Sequence, residues 1–574
     1  MTVFSFRAVG LAAALATSTI LAPATTHAET PSGAYLAARI ASFNGDYRAA
    51  ADYYLEALIS DPSNVLILEN ATLALAGLGD FTRAGALAKR LEQLSVDSQL
   101  ARIINVAALV ERDAVDRVVA DMDAGLSIGP LVDNLLRAWA YFYQGQMSDA
   151  LTMFDETAEM PGMRGFAVYH KALALASVGD FEGAEALFAD PENRVLRASR
   201  RGVLANVQIL SQLERNADAV ALIDEVFGTE LDPGTAVLRA RLEAGDTLPF
   251  TVITSGRDGL AEVFYTVAGA LNGEASDAFT LVYSRTAEFL RPDHVDSLLL
   301  SAALLEQLGQ HALATEVYLK VPADDPAFYV AEIGRAGSLD AAGRPDAATE
   351  VLTQLAKAHP EVPVVHVTLG DHYSRQEDWQ NAIAAYDKAV GLFSVEERGQ
   401  WVVYYARAIA HERLGNWDKA EPDFLRALDL EPDQPRVLNY LGYSYVEKQE
   451  KLDVALDMIE RAVAARPDSG YIVDSLGWVL YRLGRYEEAV PHMERAVELM
   501  PVDPVVNDHL GDVLWAVGRK VEAEFQWKRA LSFVDPDDVP TDLDPDRVRR
   551  KLDVGLDVVR SEEGADPISV ADGN

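Results

Sequence analysis

The sequence has no cysteine. That removes disulfides, thiolate metal sites and cysteine nucleophiles together. It also leaves no residue to carry a lipid after an export signal, so no lipid anchor is expected. Bases are scarce: 50 Lys and Arg stand against 89 Asp and Glu, a formal net charge of -39. A duplex-binding surface needs a basic stripe that displaces phosphate counterions, and no such run is present. Anionic headgroups would repel the chain for the same reason. Much of the acid simply coats a solvated surface, and the charge favours basic or neutral partners. Beyond the amino terminus no stretch reaches the roughly 20 apolar residues a membrane span requires. The signatures of nucleotide and zinc chemistry are missing as well: no G-x-G-x-x-G follows a strand-like run, and no P-loop or H-E-x-x-H occurs.

The first residues form an export-signal pattern. Arg7 is the lone cation before a mostly apolar run from Ala8 to Leu21. Thr26-His27-Ala28 then places small residues at the two positions a signal peptidase reads, so a mature chain from Glu29 is expected. The alternative is a retained anchor helix. An exported chain without cysteine points to a soluble extracytoplasmic compartment, the periplasm if the source is a Gram-negative bacterium. Apolar residues make up 49% and charged residues 24%, as in an ordinary folded protein. Ala and Leu dominate the apolar set, and both favour helix.

The chain repeats itself. Asp508-His509-Leu510-Gly511-Asp512 echoes Asp474-Ser475-Leu476-Gly477-Trp478, 34 residues earlier. One further step back stands Asn439-Tyr440-Leu441-Gly442-Tyr443. Within Gly470–Asp503 the frame is Gly477, Gly484, Tyr486, Ala489, Met493, Ala496 and Pro501. A small residue at the eighth position lets the second helix of a hairpin lie close to the first. Gly at the fifteenth ends the first helix in a left-handed turn. The large residue at the twenty-fourth and Ala at the twenty-seventh share a helical face and are expected to fill the seam to the next repeat. Pro near the end stops the second helix.

The frame recurs in about eleven units, four before residue 200 and seven from 295, with decayed copies at 99–130, 200–227 and 261–294 raising the total to about fourteen. Residues 228–260 break it: glycines and Pro249 interrupt, and Phe250–Thr254 has strand-like composition. The expected organisation is a signal peptide at 1–28, a solenoid at 29–227 and an irregular joint at 228–260. A second solenoid follows at 261–537, then a capping helix within 544–560 and a disordered tail from Ser561, both inside the segment 538–574.

These residues resemble the tetratricopeptide repeat superfamily, over nearly the whole mature chain and most strongly from 363 to 537. The resemblance implies an all-α, right-handed α-solenoid of helix-turn-helix repeats that binds polypeptides and is no enzyme. The strings around Asn439, Asp474 and Asp508, with Phe525-Gln526-Trp527, are similar to a group of exported proteobacterial repeat proteins. One branch, outer-membrane lipoproteins, is an adaptor that delivers peptidoglycan hydrolases to a periplasmic carboxyl-terminal processing protease. This chain departs from that branch in lacking the lipidated cysteine. The other role open to it is a structural part of an envelope export or polysaccharide machine.

In this repeat class certain first-helix positions line a concave groove. Here they are Asn439 and Tyr443, then Asp474, Trp478 and Tyr481, then Asp508, Asp512 and Trp515. Rings beside carboxylates suit an extended peptide, since rings supply area while Asn and Asp accept backbone or cationic donors. An acidic tail is disfavoured there. The competing role for Trp478, Tyr481 and Trp515 is packing between neighbouring repeats. No metal or cofactor is expected. Glu488 and His492 are a helical turn apart but lack a third ligand, and His366 and His372 fall on different faces of one helix.

Overall fold

The computed structural model describes residues 31–228, 231–395, 397–536, 538–540 and 542–565. The expected export signal and most of the expected tail lie outside the described residues. The architecture is an all-α solenoid. Among the described residues the helices pair into fourteen hairpins, whose first helices begin at Pro31, Val65, Gln99, Pro130, Arg164, Arg200, Gly256, Val295, Phe328, Pro363, Trp401, Pro435, Gly470 and Pro504. The three decayed copies are therefore hairpins too.

The turn inside each hairpin explains both the clear copies and the faint ones. Gly484 and Gly518 adopt φ of +75° and +83° between their helices. At the same place in the faint or shifted copies stand Asp113, Glu214, Glu377 and Gln449, with φ of 57°, 60°, 59° and 55°. The left-handed turn persists without its glycine, at a cost of about 1–2 kcal/mol for an L residue. The eighth position acts as expected. A Cβ on Gly477 would sit 2.2 Å from Met493 Sδ, and one on Gly511 would sit 2.3 Å from Trp527 Nε1. The large residue at the twenty-fourth position thus packs on its own hairpin, and at Phe424 it also reaches the next, 5.2 Å from the Tyr440 ring.

The chain divides into two compact units, up to Gly334 and from Arg335. This corrects the expected joint, because 228–260 lies inside the first unit. Part of it is a helix, Pro233–Glu243. Phe250–Thr254 is not a strand, since side chains take up its backbone. Gln208 accepts from the Thr251 N–H at 2.9 Å, and Arg201 and Arg291 donate to the Val252 carbonyl at 3.1 and 2.7 Å.

The hairpin that follows, Gly256–Leu271 with Asp277–Leu290, packs against the first helices of earlier hairpins. It fills the inner face of the amino-terminal repeats. Gly259 lies so close to Trp139 that a Cβ would sit 2.0 Å from the indole. Phe289 stacks on Phe81 at 4.6 Å, and Arg285 donates to the Gly77 carbonyl at 3.1 Å.

Glu262 is the polar centre of this packing and is fully buried. It accepts from Arg201 at 2.9 Å, from Tyr169 at 3.0 Å and from His294 Nε2 at 3.2 Å. The Ser297 N–H donates to His294 Nδ1, which leaves Nε2 to carry the proton. Burial alone would raise the Glu262 carboxyl. The Arg201 charge, with the hydrogen bond and charge of His294, outweighs burial and holds it well below the usual carboxylate range.

Glu262→Gln leaves a buried guanidinium short of its counter-charge and should cost about 3–5 kcal/mol in urea unfolding of the first unit. Because the folded carboxyl is lowered, its contribution is complete above the ordinary Glu value of about 4.3 and is lost only as pH falls through the lower folded value. The difference between wild type and Glu262→Gln should thus stay flat above that range; a difference that instead grew toward acid would contradict the assignment. Glu214→Gly should stabilise by up to about 1 kcal/mol, the left-handed cost less glycine's added chain entropy. A loss of stability would show that the turn is unstrained.

Candidate polypeptide-binding groove

In the second unit the first helices Trp401–Arg413, Pro435–Glu447, Gly470–Arg482 and Pro504–Ala516 each present one face to a shared cavity of about 530 Å³. Helical spacing sets which residues reach it. Asn439 and Tyr443 are one turn apart on the second of these helices, and both line the cavity. Asp474 lines it from the third helix and His509 from the fourth. Glu447 lies one turn beyond Tyr443 and Asp542 joins from the loop after the last hairpin.

Asn439 is 8% exposed, and its side-chain oxygen has no hydrogen-bond partner. Asp474 pairs with His509 Nδ1 at 3.0 Å. Burial pulls the His509 imidazole down, but Asp474 outweighs it and raises the proton affinity above the ordinary value of 6.5. The Tyr443 hydroxyl is raised by burial first and then by the charges of Glu447, Asp542 and Asp474. The cavity wall is thus anionic and carries one unsatisfied buried acceptor.

Only three of the eight expected groove residues, Asn439, Tyr443 and Asp474, line this cavity. Trp478 lies in a stack of rings, 4.8 Å from Tyr481 and 4.0 Å from His509, and its Nε1 donates to Glu447 at 2.9 Å. It packs between repeats, as does Tyr481, which accepts from Arg560 at 3.3 Å. Asp508, Asp512 and Trp515 are covered by the chain's own carboxyl-terminal segment. That segment is two helices, Pro545–Val554 and Leu556–Glu562, where a single polar helix was expected; Gly555 at φ +86° separates them.

Lys551, fully buried, donates to Asp508 at 2.8 Å and to Asp512 at 2.6 Å. Trp515 Nε1 donates to Asp557 at 3.0 Å. Burial and the neighbouring Asp512 charge raise the Asp508 carboxyl, which Lys551 only partly offsets. Sequence reasoning did not single out Lys551, Glu447, His509 or Asp542. The base-rich run Arg547, Arg549, Arg550, Lys551 in an acidic chain was the available signal for the first. Among the described residues no group of three or more His, Asp or Glu side chains is arranged to hold a metal ion.

Two tetratricopeptide repeat profiles match the chain, one at 35–97, 135–192, 405–470, 445–504 and 475–536, the other at 361–433. The chain belongs to the tetratricopeptide repeat family. It is 26% identical over 188 residues to a TPR repeat-containing protein of Pseudomonas aeruginosa, covering 32% of this chain and 31% of that one. It is 37% identical over 102 residues to the lipoprotein NlpI homolog of Haemophilus influenzae, covering 17% of this chain and 31% of that one. The chain therefore spans about a third of the length of these curated relatives. Among solved structures, the Cut9–Hcn1 assembly aligns over 92% of this chain and 96% of its own at 15% identity and a TM-score of 0.38. YrrB, described as a TPR protein with an unusual peptide-binding site, aligns over 33% and 94% at 16% identity and a TM-score of 0.28.

Lys551→Met should leave two buried carboxylates facing no ammonium. The expected cost is about 3–5 kcal/mol, read as earlier urea unfolding and faster proteolysis after residue 533. Stability equal to wild type would mean that the seat is not a buried ion pair. A second check uses His509. With its folded proton affinity raised, its contribution is complete below the ordinary His value of about 6.5 and is lost as pH rises through the higher folded value. The stability lost in His509→Gln should therefore be larger at pH 5.5 than at pH 8.5. The reverse trend would contradict the Asp474 pairing.

Proposed function

We propose that this protein is a scaffold that grips polypeptide partners in the cavity lined by Asn439, Tyr443 and Asp474. The observation that carries the reading is the buried, unpartnered Asn439 oxygen on the wall of a cavity lined by four successive first helices. A buried acceptor without a partner costs about 1–3 kcal/mol, and a peptide N–H would remove that cost. The inner face of the first unit is filled by the chain itself, which concentrates the reading on the second unit. For location we propose the periplasm, on the strength of the export-signal pattern. Among the described residues no helix is long and apolar enough to cross a membrane.

A narrower form of the proposal makes the partners a carboxyl-terminal processing protease and its cell-wall hydrolase substrates. It rests on the resemblance of the Asn439, Asp474 and Asp508 strings, and on the match to the lipoprotein NlpI homolog over a limited segment. The second role, a structural part of an envelope export or polysaccharide machine, predicts stable co-fractionation with outer-membrane complexes.

Affinity purification from cell envelopes tests the scaffold. Wild type should recover a reproducible set of proteins that Asn439→Ala and Tyr443→Ala lose while unfolding normally. Unchanged recovery by both variants would remove the cavity from the account. Mixing the purified chain with a processing protease and a hydrolase should then accelerate cleavage; an unchanged rate would end the narrower form.

A further inference from the structure

The walls of the cavity are unequal in charge. Five carboxylates line it, from Glu412, Glu447, Asp474, Asp503 and Asp542. The cations on the same walls are Arg413 and Lys448, with the His509 imidazole beside Asp474. Several of these acids are already engaged. Glu412 lies 4.0 Å from Arg413, Asp474 pairs with His509, and Asp503 accepts from the Val506 N–H at 3.0 Å. Asp542 has no such contact, and Glu447 is engaged no more closely than Glu412. Glu447 accepts a neutral hydrogen bond from Trp478, with Arg482 4.0 Å away, and is half-exposed. Asp542 is exposed, and no cation of the described residues pairs with it.

Lys448 does not neutralise them, since its ammonium sits over the Trp417 ring at 4.7 Å. The Tyr443 hydroxyl lies within the field of Glu447, Asp542 and Asp474, and that field raises its proton affinity after burial has done so.

One hairpin further along, the same face holds a cation. Asp508 stands 34 residues after Asp474 in the repeat frame, and with Asp512 it seats the Lys551 ammonium above the Trp527 ring. The chain thus fills one cation seat of this face with its own lysine, and the cavity before it has the acids without the lysine. Asn439 supplies the second, independent feature: a side-chain oxygen nine-tenths buried, unpartnered, on the wall of the anionic cavity.

We propose that the cavity selects an extended polypeptide segment bearing lysine or arginine, whose cationic head is set against Glu447 and Asp542 while a backbone N–H of the segment donates to Asn439 Oδ1. This rests on the polypeptide-binding reading and adds the class of segment. The aromatic wall of Tyr440, Tyr443 and Tyr471 supplies the surface along which the stems of such side chains lie.

Fluorescence anisotropy on the full chain tests it. The probes are a labelled alanine-rich peptide with lysines at alternate positions and its twin with glutamates. The lysine peptide should bind about tenfold tighter or more at low salt, and the gap should close as salt rises. Because the whole chain is acidic, the control is Asp52→Asn, an exposed acid of the first unit. That variant should leave the lysine peptide unaffected. Glu447→Gln and Asp542→Asn should each weaken it about threefold or more, and Asn439→Ala should weaken both peptides alike.

Equal affinity for the two peptides, no binding of the lysine peptide, or equal losses in Asp52→Asn and Asp542→Asn would each overturn the proposal. If envelope proteins are still lost from Asn439→Ala and Tyr443→Ala while the two peptides bind alike, the scaffold reading stands and only the charge selection fails.

Discussion

A hairpin of two short helices presents an apolar face on either side and cannot bury both by itself. Every larger feature of this chain answers that constraint. Successive hairpins cover one another, and position eight sets how closely each one closes, as Gly477 on Met493 and Gly511 on Trp527 show. What remains are the inner face of the array and its ends. In the first unit the inner face is covered by Gly256–Leu290, fixed by the contact of Gly259 with Trp139 and by the ion cluster around Glu262. In the second unit the last hairpin is covered by Pro545–Glu562, fixed by Lys551. Both covers bring buried charge, because a surface built to face water or a partner carries polar groups that must be matched once covered.

That economy also bears on the proposed function. Where the chain covers its own surface, that surface is not open to a partner. Where it leaves a concave face uncovered, the polar groups on that face keep their capacity, as the Asn439 oxygen does. The cavity between Trp401 and Ala516 is therefore the surface we propose for partners, and the acids around it would set its preference. The Lys551 seat next to it shows the chemistry that such acids perform when a cation arrives.

Much of the fold was legible in the sequence, because the repeat frame is a set of local requirements. Gly484, Gly518, Gly477 and Gly511 each answer a turn or a close approach, and such requirements repeat at a fixed period. The faint repeats were harder to see for the same reason. Asp113 and Glu214 hold the left-handed turn without glycine, so the punctuation was gone while the geometry stayed. The joint was misplaced because Gly245, Pro249 and the β-branched residues at 251–254 mimic a break, and only tertiary packing turns the following helices inward. The site was half legible. Repeat position grouped Asn439, Tyr443 and Asp474, which line one cavity. It could not show that the chain's own end covers Asp508, Asp512 and Trp515, nor that Trp478 and Tyr481 stack within the core, since both depend on contacts distant in sequence.

The central claim is that the cavity of the second unit, and not the inner face of the first, receives polypeptide. Photo-crosslinking in cells states it most directly, with a photoreactive phenylalanine at Tyr443 in one variant and at Tyr283 in another. Tyr283 is buried in the hairpin that fills the first unit. The account predicts discrete protein adducts from Tyr443 and none from Tyr283. Adducts from Tyr283 with none from Tyr443 would contradict it.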